Sequence, residues 1–338
     1  MLAKRILTIL QYLFFLLLGL GLLWLSFRKL NLQDVFHEMS NAHFGWLFLS
    51  LFVTIISHLF RAARWNLLIG TLNYKTRLST TFFSLMTGYL VNTGVPRLGE
   101  FVRCGVLSKK EKIPFNALFG TVISERIFDL FVFAILFVLV IVFQLSLLNQ
   151  FLHEFFGPFF HDVFDNIWTI SLFFGSIILL FVIAFLYWKR KKEHLKEKAF
   201  FHKIHDFMVG LAEGIKTIKR MKKKGLFLFY TFAIWFFYIL MIYVGFFMLK
   251  ETSHLNFIAG ITVLTLGSLG IIAPVPGGIG AYHFVVKAIL TEIYHIGPDS
   301  AISFATLTHA GQTLLNIVVG AFGYTMLIVT KKMKPSNG

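Results

Sequence analysis

The sequence predicts an all-α, polytopic helical membrane protein, and three observations predict it. First, hydrophobic residues make up 57% of the 338 and charged residues only 14%, where soluble domains carry about a quarter charged. Second, residues 6–27, 167–188 and 225–249 hold no Asp, Glu, Lys or Arg, each long enough for the roughly 20 residues that a helix needs to cross hydrocarbon. Third, two further apolar stretches run straight into clusters of glycine and proline, the mark of helices that enter apolar surroundings and break there.

Taken in order, residues 6–27 read as a retained first helix. The run exceeds the 7 to 15 apolar residues, roughly, of a secretory leader, and no small-residue cleavage site follows it. Orientation comes from charge. A formal net charge of +16 would suit nucleic acid if it lay on one face, but here the basic residues sit between apolar helices, so they orient the chain in a membrane. Thirteen of the 32 Lys and Arg fall within residues 189–224, which places that loop in the cytoplasm. Lys4, Arg5, the group Arg61, Arg64, Lys75 and Arg77, and the tail Lys331, Lys332 and Lys334 belong to the same side. Residues 148–166, with Glu154, Asp162 and Asp165 and no Lys or Arg, face outward. The expected spans are 6–27, 44–60, 117–148, 167–188, 225–249 and 301–329, with both termini cytoplasmic and the cell membrane as the location.

Two stretches, residues 78–95 and 257–273, remain. The first breaks at Gly94-Val-Pro96-Arg97-Leu-Gly99 and the second at Pro274-Val-Pro276-Gly277-Gly278-Ile-Gly280. Proline removes a backbone donor and glycine loosens the chain, so neither segment continues as helix in lipid. Both are expected as re-entrant hairpins, 78–112 and 257–295. Each lies between two spans, which divides the chain into repeats 44–148 and 225–329; by the charge rule their hairpins enter from opposite sides, as in inverted-repeat transporters. The alternative is eight full spans with the same ends. In the loop 189–224, Phe201, Ile204, Phe207, Met208, Leu211, Ile215 and Ile218 recur at helical spacing, as in a helix lying at an anionic lipid surface or packed on neighbouring spans.

Ionisable residues inside apolar runs carry the functional signal, since a charge at the centre of a spanning helix costs at least ~2.5 kcal/mol. Glu125, Arg126 and Asp129 qualify. Thr121, Glu125 and Asp129 share a helical face, and Arg126 lies within reach of Asp129. The network either locks hairpin to helix or contacts a charged head group. Arg97, Glu100 and Arg103 line one side of the second half of the first hairpin, where arginines suit a phosphate. His58, Arg61 and Arg64 form a line at a span's end; anchoring at the membrane surface is the expected role for these arginines, head-group binding the alternative. Gly277, Gly278 and Gly280 free backbone N–H groups at the start of a helix that continues through His283, an anion site or a tight turn. His309, Gln312, Thr313 and Asn316 make one polar stripe in the last span. The one cysteine, Cys104, excludes an intramolecular disulfide. No nucleotide-phosphate loop, zinc-protease motif or nucleophile elbow occurs. The expectation is a chain that is no enzyme, with no cofactor, no metal and no nucleic-acid partner.

With Arg61-Ala-Ala-Arg64-Trp65, Gly94-Val-Pro96-Arg97-Leu-Gly99-Glu100, Ser124-Glu125-Arg126-Ile-Phe-Asp129 and Pro276-Gly277-Gly278-Ile-Gly280 in view, the chain resembles the lysylphosphatidylglycerol synthase/flippase transmembrane-domain family over about residues 10–330. The resemblance implies a membrane domain that moves an aminoacylated phospholipid between leaflets, without the synthase domain that makes the lipid. Two departures stand out: His283 falls where the family commonly has an acidic residue, and His309 and Gln312 stand in the span where an arginine is often found. A cationic lysyl lipid is therefore not expected as the substrate. The expected partner is a membrane phospholipid or lipid-linked precursor, held by Arg97, Arg103, Arg126 and the glycine turn, balanced by Glu100, Glu125 and Asp129. Alternatives are a non-transporting membrane partner of a lipid enzyme and a small-solute carrier.

Overall fold

The structure, a computed structural model, describes residues 2–28, 30–144, 221–272 and 275–329, and for the first helix describes side chains from residue 13 onward. Every regular element among them is helical. The expected span 167–188, the segment 148–166 and the amphipathic stretch of the basic loop lie outside the described residues.

Helix α1 (Leu2–Phe27) is followed by the short α2 (Leu32–Ser40), whose start is capped by the Asn31 side chain accepting from the Gln33 N–H. Among the described residues, four helices are long and apolar enough to cross a membrane: α3 (Phe44–Gly70), α6 (Phe115–Phe143), α7 (Lys224–Phe246) and α10 (Pro298–Val329). α1 and α2 together would add a fifth, bent by 89° between them. α3 runs ten residues beyond its expected end at residue 60, because Ala62, Trp65, Leu68 and Ile69 continue an apolar face that is buried.

The first break divides α4 (Leu78–Gly94) from α5 (Gly99–Glu111). Val95 is extended, as a residue before proline must be, and Arg97 takes a φ of 66°. The Asn92 carboxamide oxygen accepts from the Gly99 N–H at 2.7 Å, so α4 supplies the cap for α5. The two arms touch at Gly88 and Gly99, where a Cβ on either would run into the other's carbonyl oxygen. The second break divides α8 (Phe257–Ile272) from α9 (Ala281–Ala288), with a tight turn at Pro276–Gly278. A π-helical turn at Ile289–Ile293 ends the second arm.

α3 and α7 pack side by side and antiparallel. Ser50 donates to the Met241 carbonyl at 2.8 Å near one end, Arg64 to the Thr231 hydroxyl at 3.3 Å near the other. The first hairpin opens beside the C-terminal end of α3, where Thr76 and Thr81 donate to the Asn66 side chain at 2.7 and 2.5 Å. The second opens beside the opposite end of the pair, where the Phe257 ring meets Tyr243 at 5.7 Å and the His43 N–H donates to the Met248 carbonyl. Their tips touch in the interior: a Cβ on Gly277 would sit 3.2 Å from the Thr93 carbonyl oxygen. α10 closes the assembly along α4, through Gly320 against Met86 and Leu90, and Gly323 against Phe83. Around the outside, Leu17, Phe48, Phe52, Ile135, Val138, Phe232 and Ile328 are all exposed, an apolar belt far larger than a soluble surface carries.

Candidate functional site

Glu125 on α6 is fully buried among three arginines. The Arg61 Nε donates to its Oε1 at 2.8 Å, the Arg103 Nη2 to its Oε2 at 3.3 Å, and the Arg64 Nη2 stands 3.6 Å away. One turn along α6, Asp129 accepts from Arg64 at 2.7 Å and from Arg61 at 3.5 Å. Arg126 bridges outward to Glu100 on α5 at 2.7 Å and to Asp129 at 3.5 Å. α3, α5 and α6 are thus joined by a network of four arginines and three carboxylates, which leaves one positive charge in excess.

The expected surface anchoring of Arg61 and Arg64 is overturned. Both are buried, because α3 continues past them and carboxylates from α6 reach them there. Arg61 also donates to the Tyr238 hydroxyl at 3.1 Å, so none of its nitrogens is left over. Arg103 lies 4.6 Å over the Trp65 ring, and the Trp65 indole N–H donates to the Thr121 hydroxyl at 2.8 Å. Replacing Thr121 by valine strands that buried donor and is expected to cost about 1–3 kcal/mol, read as a lower unfolding midpoint in detergent; an unchanged midpoint would refute the bond.

Where the hairpin tips meet, a hollow opens in two adjoining parts that share Tyr89, Ile271, His309, Gln312 and Asn316. The inner part, 310 Å³, reaches His58, Arg61 and Tyr238. The outer part, 580 Å³, is walled by both tips, including Arg97, Glu100, Arg126, Gly277 and Gly278. His309 latches the second tip by donating from Nε2 to the Gly277 carbonyl at 2.8 Å, while Gln312 donates to the Thr54 hydroxyl at 2.8 Å. The polar stripe of the last span therefore faces the hollow.

Not every candidate residue does. Arg64 and Arg103 sit behind the wall, in the ion network. His283 is buried with its ring 4.9 Å from His309 but borders neither part. Gly280 packs against the Gly19 carbonyl of α1. Conversely, Tyr89 and Tyr238 border the hollow although neither is among the residues expected from the sequence. Tyr89 had one legible sign, its place in the segment leading to the first break; Tyr238 lies in an aromatic-rich run with no sign at all.

An apolar belt around long helices, with buried ion pairs and a hollow between broken hairpins, defines a multi-pass helical membrane protein. The chain belongs to the family described as the lysylphosphatidylglycerol synthase TM region, whose model matches residues 10–320. It is also 22% identical over 323 residues to a UPF0104 membrane protein of Methanocaldococcus jannaschii, covering 91% of this chain and 92% of the relative. No solved structure matches it.

Proposed function

We propose that this chain is a flippase-like membrane protein, without enzymatic activity of its own, that binds and translocates a polar lipid or lipid-linked precursor. The observation that carries the reading is the hollow at the meeting of the two hairpin tips, bordered by Arg97 and Arg126 and reaching the buried Arg61. Broken helices ending inside a membrane protein put polar backbone at a protected site, the arrangement that transporters use for polar cargo. In this reading the hairpins are re-entrant and oppositely directed parts of an inverted repeat. The basic loop and both termini lie on the cytoplasmic side of the cell membrane, and the described spans together with 6–27 and 167–188 make six crossings. The family description, which names the membrane region of a lipid-modifying enzyme, agrees with a lipid as cargo.

The test is leaflet-resolved translocation of fluorescent phospholipids in liposomes containing the purified chain. Arg126 is half-exposed beside the outer hollow, so Arg126→Ala is expected to slow translocation about tenfold, the loss of a charge-assisted contact. Equal rates for variant and wild type would remove Arg126 from the pathway. No movement of any lipid by wild type, together with a co-purifying lipid enzyme, would favour a membrane-anchored partner instead.

A further inference from the structure

The two parts of the hollow differ in chemistry. The outer part carries Arg97, Arg126 and Glu100, one positive charge in excess. Arg126 is already engaged with Glu100, whereas Arg97 makes no ion pair among the described residues. It stands on the tip of the first hairpin with a φ of 66°, a strained conformation for a residue with a Cβ, and its side chain borders the hollow. The inner part has a different lining: hydroxyls, carboxamides and rings set among the aliphatic side chains of Met241, Ile242, Val263, Leu264 and Ile271, with no carboxylate among the described residues. Its one guanidinium, Arg61, is wholly committed to Glu125, Asp129 and Tyr238.

Three residues that line the inner part, of which Tyr89 and Asn316 also line the outer, each carry a buried polar atom with no hydrogen-bond partner: His58 Nδ1, the Tyr89 hydroxyl and Asn316 Oδ1. His58 is itself only 7% exposed. Buried polar groups are rarely left unpaired; three around one space describe a ligand able both to donate and to accept.

We propose that the site takes a phosphodiester lipid whose head group is uncharged and rich in hydroxyls, such as a glycerol, an inositol or a sugar. The phosphate rests between Arg97 and Arg126, and the hydroxyls enter the inner part against His58, Tyr89 and Asn316. This narrows the lipid reading above and rests on it. An ammonium head group finds no place there. The neighbouring carboxylates are held by arginines, and Tyr89, whose ring would otherwise be free to stack on a choline, has the Arg61 guanidinium 5.8 Å from its centroid. A 310 Å³ space is at the lower end of small-ligand sites and suits one such head group.

The test is competitive retention, by native mass spectrometry, of phosphatidylinositol, phosphatidylglycerol, phosphatidylcholine and lysylphosphatidylglycerol with matched acyl chains on the purified full chain in detergent. Phosphatidylinositol and phosphatidylglycerol are expected to be retained about tenfold over the other two, the discrimination of roughly one net hydrogen bond from a head-group hydroxyl. Arg97→Gln, at an exposed position, is expected to lower retention of all four lipids, which share the phosphate, without changing their order, and Asn316→Leu lowers retention of phosphatidylinositol more than that of phosphatidic acid. Equal retention of all four lipids, or preference for the choline or lysyl lipid, would overturn the proposal. So would displacement of phosphatidylinositol by equimolar soluble inositol phosphate, which would make the ligand a solute. The preference persisting while no lipid crosses the bilayer would sink the translocation reading and leave this one standing.

Discussion

Glu125→Ala is expected to destabilise the folded chain by about 3–5 kcal/mol, the cost of breaking a buried pair and leaving its partners charged. The variant takes a partner from three guanidiniums at once: Arg61 and Arg103 lose their contacts at 2.8 and 3.3 Å, and Arg64 loses a neighbour at 3.6 Å. Asp129 remains to serve Arg61 and Arg64, but it does not reach Arg103. The unfolding midpoint, followed by helical circular dichroism in detergent, reads the loss. Adding Arg103→Met to Glu125→Gln tests the cause. Removing both charges should recover part of the loss, since an apolar side chain against Trp65 no longer needs a counter-ion. A loss below about 1 kcal/mol would mean that water or lipid screens the network.

That network was half legible in the sequence, and the reason is distance along the chain. Glu125, Arg126 and Asp129 announce themselves because each stands inside an apolar helix, and the i, i+3 pairing of Arg126 with Asp129 follows from helical geometry alone. Arg61 and Arg64 carry the same chemistry but stand where an apolar run gives way to basic residues. A charge rule reads such a place as a helix end, and it cannot see that α3 continues to Gly70. Their partners lie more than sixty residues away, so only packing brings them together. The hollow shows the same split. His309, Gln312 and Asn316 were visible as one polar face of α10, whereas Tyr238 is one aromatic among many on α7, distinguished only by the arginine it meets. The breaks at Pro96 and Pro276 were plain from residue type, because proline and glycine act locally; that the two tips touch is a tertiary fact.

Gly280→Ala is expected to cost about 2–6 kcal/mol, through backbone strain and overpacking added together, although the glycine turn read equally well as an anion site. Gly280 has a φ of 82°, and a Cβ there would collide with the Gly19 carbonyl oxygen and lie 2.9 Å from the Leu23 nitrogen. Both obstacles are backbone atoms of α1, so no side chain can turn aside to make room. Gly278→Ala separates the two causes: its φ is also positive, at 74°, but the new Cβ would meet Ile271 and His309 only at 3.6 Å or more. That variant should lose the strain alone, about 1–3 kcal/mol. Unfolding midpoints for the pair give the difference directly, and equal losses would show that α1 does not seat against the turn. The expected inequality divides one short motif between two tasks. Gly277 offers its carbonyl to His309 at the edge of the hollow, while Gly280, three residues on, lets α1 close over the back of the same turn. The second tip is held in place from behind, so that its front can stay polar and open toward the first.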